Sequence, residues 1–165
     1  IIINPKMSFG TGHHETTFMM VETMRTIDLI KKKVLDMGTG TGILAILAKK
    51  MGADYVEAID ISDNAIKNCI ENASNNQVDI ITKTGGKDQV KNNTYDIILA
   101  NINRNILLDQ MSLYSSKLKT GGNLLLSGFL AEDKRIILTS ARENNLQLLN
   151  EKNKENWLCL AFIKK

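Results

Sequence analysis

Cysteine and proline are nearly absent from this sequence, aromatic residues are few, and no long apolar run occurs. Its only two cysteines, Cys69 and Cys159, lack CxxC spacing and each sits in an apolar pattern. A disulfide scaffold and a cysteine zinc site are therefore both excluded, and a reducing cytoplasm is the expected location. Pro5 is the single proline, so no Pro-rich linker divides the chain. The longest apolar stretches, such as residues 97–100, are strand-sized and fall far short of the roughly 20 residues a membrane-crossing helix needs. Charge of one sign is also lacking: 21 Lys and Arg against 18 Asp and Glu leave +3, too mild for a nucleic-acid footprint. A signal peptide is not expected, and the opening Ile1-Ile2-Ile3 without an initiator Met gives the expectation of a piece of a longer protein.

What is present is one domain's worth of sequence, 165 residues of which 43% are hydrophobic. Short apolar runs rich in Val, Ile and Leu, at 34–37, 56–61, 80–84, 95–100 and 123–127, read as strands buried on both faces. Helical periods at 43–51, 63–75, 106–117 and 132–145 separate and follow them, and Leu107, Met111, Tyr114 and Leu118 give the third its apolar stripe. Ahead of the first strand, Thr17, Met20, Val21, Met24 and Ile27 recur at helical spacing. At the other end, 146–151 and 157–163 flank the polar residues 152–156 and read as a closing antiparallel hairpin. The sum is an α/β fold, a doubly wound, mainly parallel sheet with helices on both faces and an antiparallel edge.

The segment Val34-Leu35-Asp36-Met37-Gly38-Thr39-Gly40-Thr41-Gly42 runs from a buried strand into a helix. Gly38, Gly40 and Gly42 let the main chain turn sharply and let a ligand approach it without meeting a Cβ. A dinucleotide fingerprint would need its third glycine where Ile43 stands, and the nucleoside-triphosphate loop motif is absent. The second strand ends in Asp60-Ile61, placing a carboxylate where doubly wound folds bind the paired hydroxyls of a ribose. The ligand therefore contains a nucleoside, with Ser62 and Asp63 available to cap the next helix. Asp36 either fixes the turn through backbone N–H groups or meets a positive part of the ligand; both readings stand.

Asp36 through Gly42, Asp60 and Asn101 together resemble the S-adenosylmethionine signature of class I methyltransferases. Ser8-Phe9-Gly10-Thr11-Gly12-His13-His14-Glu15-Thr16-Thr17, with Asn101-Ile102 and Ser127-Gly128-Phe129-Leu130, resembles more narrowly the PrmA family, which methylates a protein at the stalk base of the large ribosomal subunit. The likeness covers nearly all of the chain. It implies a seven-stranded sheet with an antiparallel last strand, S-adenosylmethionine as donor and S-adenosylhomocysteine as product; from the spacing of cysteines and histidines no metal is expected. The acceptors it implies are lysine side chains and an N-terminal amine. It also implies that residues 1–165 are the catalytic domain, preceded in the intact protein by a substrate-recognition domain; from the mild charge and short apolar runs no direct contact to nucleic acid or membrane is expected. Under this likeness Phe9, Gly10, Thr11 and Gly12 fold over the carboxylate end of the donor. Thr17 resembles the family's donor-contacting threonine, and Asp36, Gly38, Gly40, Gly42, Asp60, Ile61 and Asn101 complete the donor site.

For the chemistry, Asn101 at the end of the fourth strand offers a neutral amide to an incoming amine or to the donor's amino acid end. The Asn-Pro-Pro-aromatic pattern of enzymes acting on planar nitrogens is missing from Asn101-Ile102-Asn103-Arg104. His14 either takes a proton from the amine or shapes the acceptor pocket. Adjacent His13 and His14 lack the i, i+4 spacing of a helical zinc site. Trp157 reads as packing, and Lys31-Lys32-Lys33 as a solvated turn. Two rivals remain at this point: the same enzyme class with another protein or a small-molecule acceptor, and a non-catalytic nucleoside-binding module.

Overall fold

The computed structural model describes residues 1–5 and 14–165. Its elements in chain order are α1 (Glu15–Met24), β1 (Lys33–Met37), α2 (Ile43–Lys50), β2 (Tyr55–Asp60), α3 (Asp63–Asn75), β3 (Ile81–Thr84), β4 (Tyr95–Asn101), α4 (Arg104–Lys117), β5 (Leu118–Leu130), α5 (Lys134–Glu143), β6 (Leu146–Lys154) and β7 (Trp157–Lys164), with short 3₁₀ turns at Lys87–Gln89 and Ala131–Asp133. One seven-stranded sheet results, in the order β3-β2-β1-β4-β5-β7-β6. β1 to β5 are parallel neighbours, while β7 runs antiparallel to both β5 and β6.

The expected antiparallel edge is thus corrected in one respect: the antiparallel strand lies one in from the edge, and β6 is the edge. Burial explains the order, because β7 hides Leu158 through Phe162 whereas most of β6 is exposed. A strand so buried needs neighbours on both sides, so the hairpin folds back to insert β7 beside β5. Residues 152–154 extend the hairpin strand instead of forming a polar loop, and Glu155 and Asn156, both with positive φ, make the two-residue turn.

Side chains alternate along the strands to give two apolar layers. Val34, Val56, Ala58, Leu99 and Leu125 pack under α1, α2 and α3 through Met20, Met24, Leu44, Ala48 and Cys69. Leu35, Met37, Ile98, Leu124 and Leu126 pack under α4 and α5 through Leu107, Met111, Tyr114, Ile137 and Ala141. α1 stops at Met24, before the Ile27 of its apolar pattern, because the chain tightens into a turn in which Ile27 N–H donates to Met24 C=O. The strand order reverses between β1 and β4, so the loops leaving these neighbours diverge to opposite faces and open a crevice at their carboxyl ends.

Candidate active site

That crevice is a cleft of about 1190 Å³ lined from the ends of four strands: Met37 and Gly38 after β1, Asp60 and Ile61 at β2, Asn101 and Ile102 at β4, and Gly128 in β5. The loop from β1 to α2 is held by its own main chain, since the Gly38 and Thr39 N–H groups both donate to Ile59 C=O, and Gly42 N–H to Thr39 C=O. Gly38 has φ +75°, and a Cβ there would sit 2.2 Å from Ile102 Cγ2. Gly128 faces the same residue from the other side, where a Cβ would come within 2.4 Å of Ile102 C=O. Ile102 is therefore clasped between two positions that tolerate no side chain. Gly38→Ala is expected to lower unfolding free energy by about 2–3 kcal/mol, from left-handed strain and crowding together. Urea titration checks this, and Ile102→Ala in that background should recover the crowding part only.

Asp60 is placed as the spacing required. Its Oδ2 accepts Gly40 N–H and its Oδ1 accepts Ser62 N–H, both at 2.9 Å. Each oxygen keeps a further lone pair for a hydroxyl. Ser62 caps α3 by accepting Ala65 N–H. Ile61, 78% exposed, gives an apolar surface in the cleft next to this carboxylate.

Asp36 is 1% exposed and lies outside the cleft lining, beneath the loop. Thr39 Oγ1 donates to its Oδ2 at 2.6 Å. Burial pushes its pKa up to about 7, opposed by the bonds from Thr39 and the Ala45 N–H and reinforced by the charge of Asp60. Of the two readings of this residue, the geometry describes the loop-fixing one. Gly42 likewise stands behind the lining and serves as N-cap of α2; a Cβ there would meet Cys69 Sγ at 2.6 Å.

Thr17 is fully buried, and its Oγ1 accepts from Asn101 Nδ2 at 3.3 Å. This contact orients the amide. Asn101 Oδ1, shielded from solvent on a residue that lines the cleft, accepts no hydrogen bond within the described structure. A buried carbonyl oxygen without a donor is costly and rare.

His14 is the N-cap of α1, its Nδ1 accepting Thr16 N–H at 3.3 Å. The same nitrogen lies 2.8 Å from Thr16 Oγ1, so Thr16 fixes the ring through both its N–H and its hydroxyl. The ring also meets Trp157 edge-on at 5.1 Å between centroids, and both line the cleft. Trp157 is thus a site residue read from the sequence as packing; its strand pattern carried no signal of the cleft, because only the insertion of β7 brings its first residue there. The expected donor-covering residues Phe9, Gly10, Thr11 and Gly12, and with them His13, lie outside the described residues. Among the described residues no cluster of His, Cys, Asp or Glu is arranged to hold a metal, and no helix is long and apolar enough to cross a membrane.

All 165 residues match the family described as "Ribosomal protein L11 methyltransferase (PrmA)". The chain belongs to the PrmA family. A ribosomal protein L11 methyltransferase of Porphyromonas gingivalis is 51% identical over 164 residues, which are 98% of this chain and 57% of that protein. The chain therefore spans a little over half the length of this PrmA relative. The crystal structure of a ribosomal protein L11 methylase from Lactobacillus delbrueckii subsp. bulgaricus superposes with a TM-score of 0.92 at 33% identity, covering 99% of this chain and 84% of that one. A T. thermophilus 16S rRNA N2 G1207 methyltransferase, solved with AdoMet and guanosine, shares the fold at 16% identity (TM-score 0.80, 96% of this chain, 45% of that one).

Proposed function

We propose that this PrmA domain transfers methyl groups from S-adenosylmethionine to primary amines of ribosomal protein L11, lysine side chains and the N-terminal amine, in the cytoplasm and without a metal. The observation that carries the reading is Asn101: a neutral amide fixed by Thr17, with its oxygen lacking a donor among the described residues, in a cleft whose other wall offers a carboxylate for a ribose. When bound, S-adenosylmethionine supplies a methyl group on a sulfonium, so the protein needs to orient and desolvate an amine more than to activate it. Asp60 would hold the ribose hydroxyls, Ile61 the face of the base, and the main chain at Gly38 and Gly40 the body of the nucleoside. Asn101 Oδ1 would accept an N–H of the incoming amine.

A lysine of pKa near 10.4 is neutral about once in 2,500 at pH 7, a cost of roughly 4.6 kcal/mol in water. Removal from water in the cleft disfavours the ammonium form, and a neutral amide partner, unlike a carboxylate, does not restore it. His14, whose Nδ1 already accepts a bond, is assigned to the acceptor wall with Trp157. Recognition of the whole ribosomal protein is assigned to sequence outside these 165 residues, with no nucleic acid or membrane contacted directly.

Asn101→Ala is expected to lower kcat about 10²-fold, the scale of one positioned polar group in a reaction cleft, with donor affinity little changed. Mass spectrometry of ribosomal protein L11 incubated with donor and full-length protein reads the products. Methyl groups appearing on small molecules but never on the ribosomal protein would reject the acceptor, and donor binding without any turnover would favour a binding module.

A further inference from the structure

α3 carries two buried asparagines, Asn68 and Asn72, and its C-cap is a third, Asn76; at i, i+4 and i+8 they form one stripe. A stripe of amides is an unusual way to pack a helix, since asparagine is a poor helix former and each buried amide demands partners. These amides are turned toward the N-terminal segment, residues 1–5. Asn76 Oδ1 accepts Ile2 N–H at 2.9 Å and its Nδ2 donates to Ile2 C=O at 2.7 Å. Asn72 Oδ1 accepts Asn4 N–H at 3.0 Å, and Asn68 Nδ2 donates to Asn4 C=O at 2.9 Å. Ile2 is thus held at both its N–H and C=O by Asn76, while Asn4 is shared, its N–H bound by Asn72 and its C=O by Asn68.

The middle rung has a second attachment. Asn72 Nδ2 donates to Thr41 C=O at 2.9 Å, inside the glycine loop. The same peptide unit is held at its other end, where Gly42 N–H donates to Thr39 C=O, and one residue earlier Gly40 N–H is held by Asp60. One side chain thus fixes both the N-terminal segment and the loop that, in the reading above, carries the donor. We propose that Asn72 is a positioning residue through which docking of residues 1–5 on α3 sets the conformation of the glycine loop and hence the affinity for the donor. The proposal rests on the reading of the cleft as an S-adenosylmethionine site. Asn76 supports the segment at the far end of the ladder and lies outside the cleft lining, so its effect on the donor is transmitted and not direct.

The test is a double-mutant cycle on this chain, read by calorimetric Kd for S-adenosylhomocysteine and by Tm. Asn72→Ala is expected to raise Kd about 10-fold, and removal of residues 1–4 about 3- to 5-fold, in the range of couplings carried by hydrogen-bonded chains. In the Asn72→Ala background removal of residues 1–4 is expected to change Kd less than in the unmodified chain, since the link through Thr41 is cut and only the bond from cleft-lining Asn68 to Asn4 remains. Where Asn72→Ala does not fold, Asn76→Ala replaces it, with an expected rise of about 3-fold. Lowered Tm with unchanged Kd, or fully additive effects, would overturn the coupling. Failure of the unmodified chain to bind S-adenosylhomocysteine would instead overturn the donor reading, and the proposal with it.

Discussion

Asp60→Ala is expected to raise the Kd for S-adenosylhomocysteine about 10²- to 10³-fold while the fold survives. Hydrogen bonds to a charged acceptor contribute about 1.5–3 kcal/mol each, and two ribose hydroxyls would lose theirs together. The substitution also frees Gly40 N–H and Ser62 N–H, the two main-chain donors that Asp60 now holds. Asp60→Asn separates these contributions. It retains an acceptor for Gly40 but removes the charge, and a loss of about 10-fold is expected. Calorimetry on both variants, with circular dichroism to establish folding, checks the series. Binding untouched by Asp60→Ala would refute the ribose assignment, and with it the nucleoside reading of the cleft.

Asp36→Asn is expected to stabilise the protein at pH 8 by about 2–4 kcal/mol and to leave stability at pH 4 nearly unchanged. The sign follows from protons bound. Asp36 is raised from 3.8 to about 7 in the folded chain, chiefly by burial. Between those values the native state holds a proton that the unfolded chain has released, so stability falls as pH rises through the interval and the penalty is complete above about pH 7. Asparagine stays neutral throughout, and its oxygen still accepts from Thr39. Urea unfolding of both proteins at pH 4 and pH 8 measures the difference. A wild-type chain as stable, relative to Asp36→Asn, at pH 8 as at pH 4 would show that Asp36 is ionised without cost. The same buried carboxylate has a consequence for binding: Asp60→Ala removes a negative charge that raises Asp36, so the variant's own pH dependence should shift to lower pH.

Much of the site was legible because its signals are local. A strand, a loop of three glycines and a helix follow one another without interruption, and Asp60 ends the next strand. Both features depend on positions close in the chain, where periodicity and turn chemistry act directly. Asn101 was legible for the same reason, as the last residue of an apolar run. The orientation of its amide was not, because the Thr17 hydroxyl that bonds it lies 84 residues away. His14 and Trp157 meet in the cleft through the packing of α1 against β7, a contact spanning most of the chain. The asparagines of α3 showed only as polar positions in a helical period, since their partners Ile2 and Asn4 are more than 60 residues distant.

Taken alone, the amino-acid order determined the alternation of strands and helices, the glycine turn after β1, the acid at the end of β2 and the likeness to the PrmA family. These follow from propensity, hydrophobic period and spacing over a few turns of chain. Tertiary structure alone decided that β7 inserts beside β5 and leaves β6 at the edge, that Asp36 is buried beneath the loop, and that Asn101 Oδ1 has no hydrogen bond among the described residues. It also decided that one amide on α3 joins the chain's beginning to its glycine loop. The physical reason is that burial and hydrogen-bond satisfaction are settled by which surfaces meet, and those meetings join residues far apart in the chain.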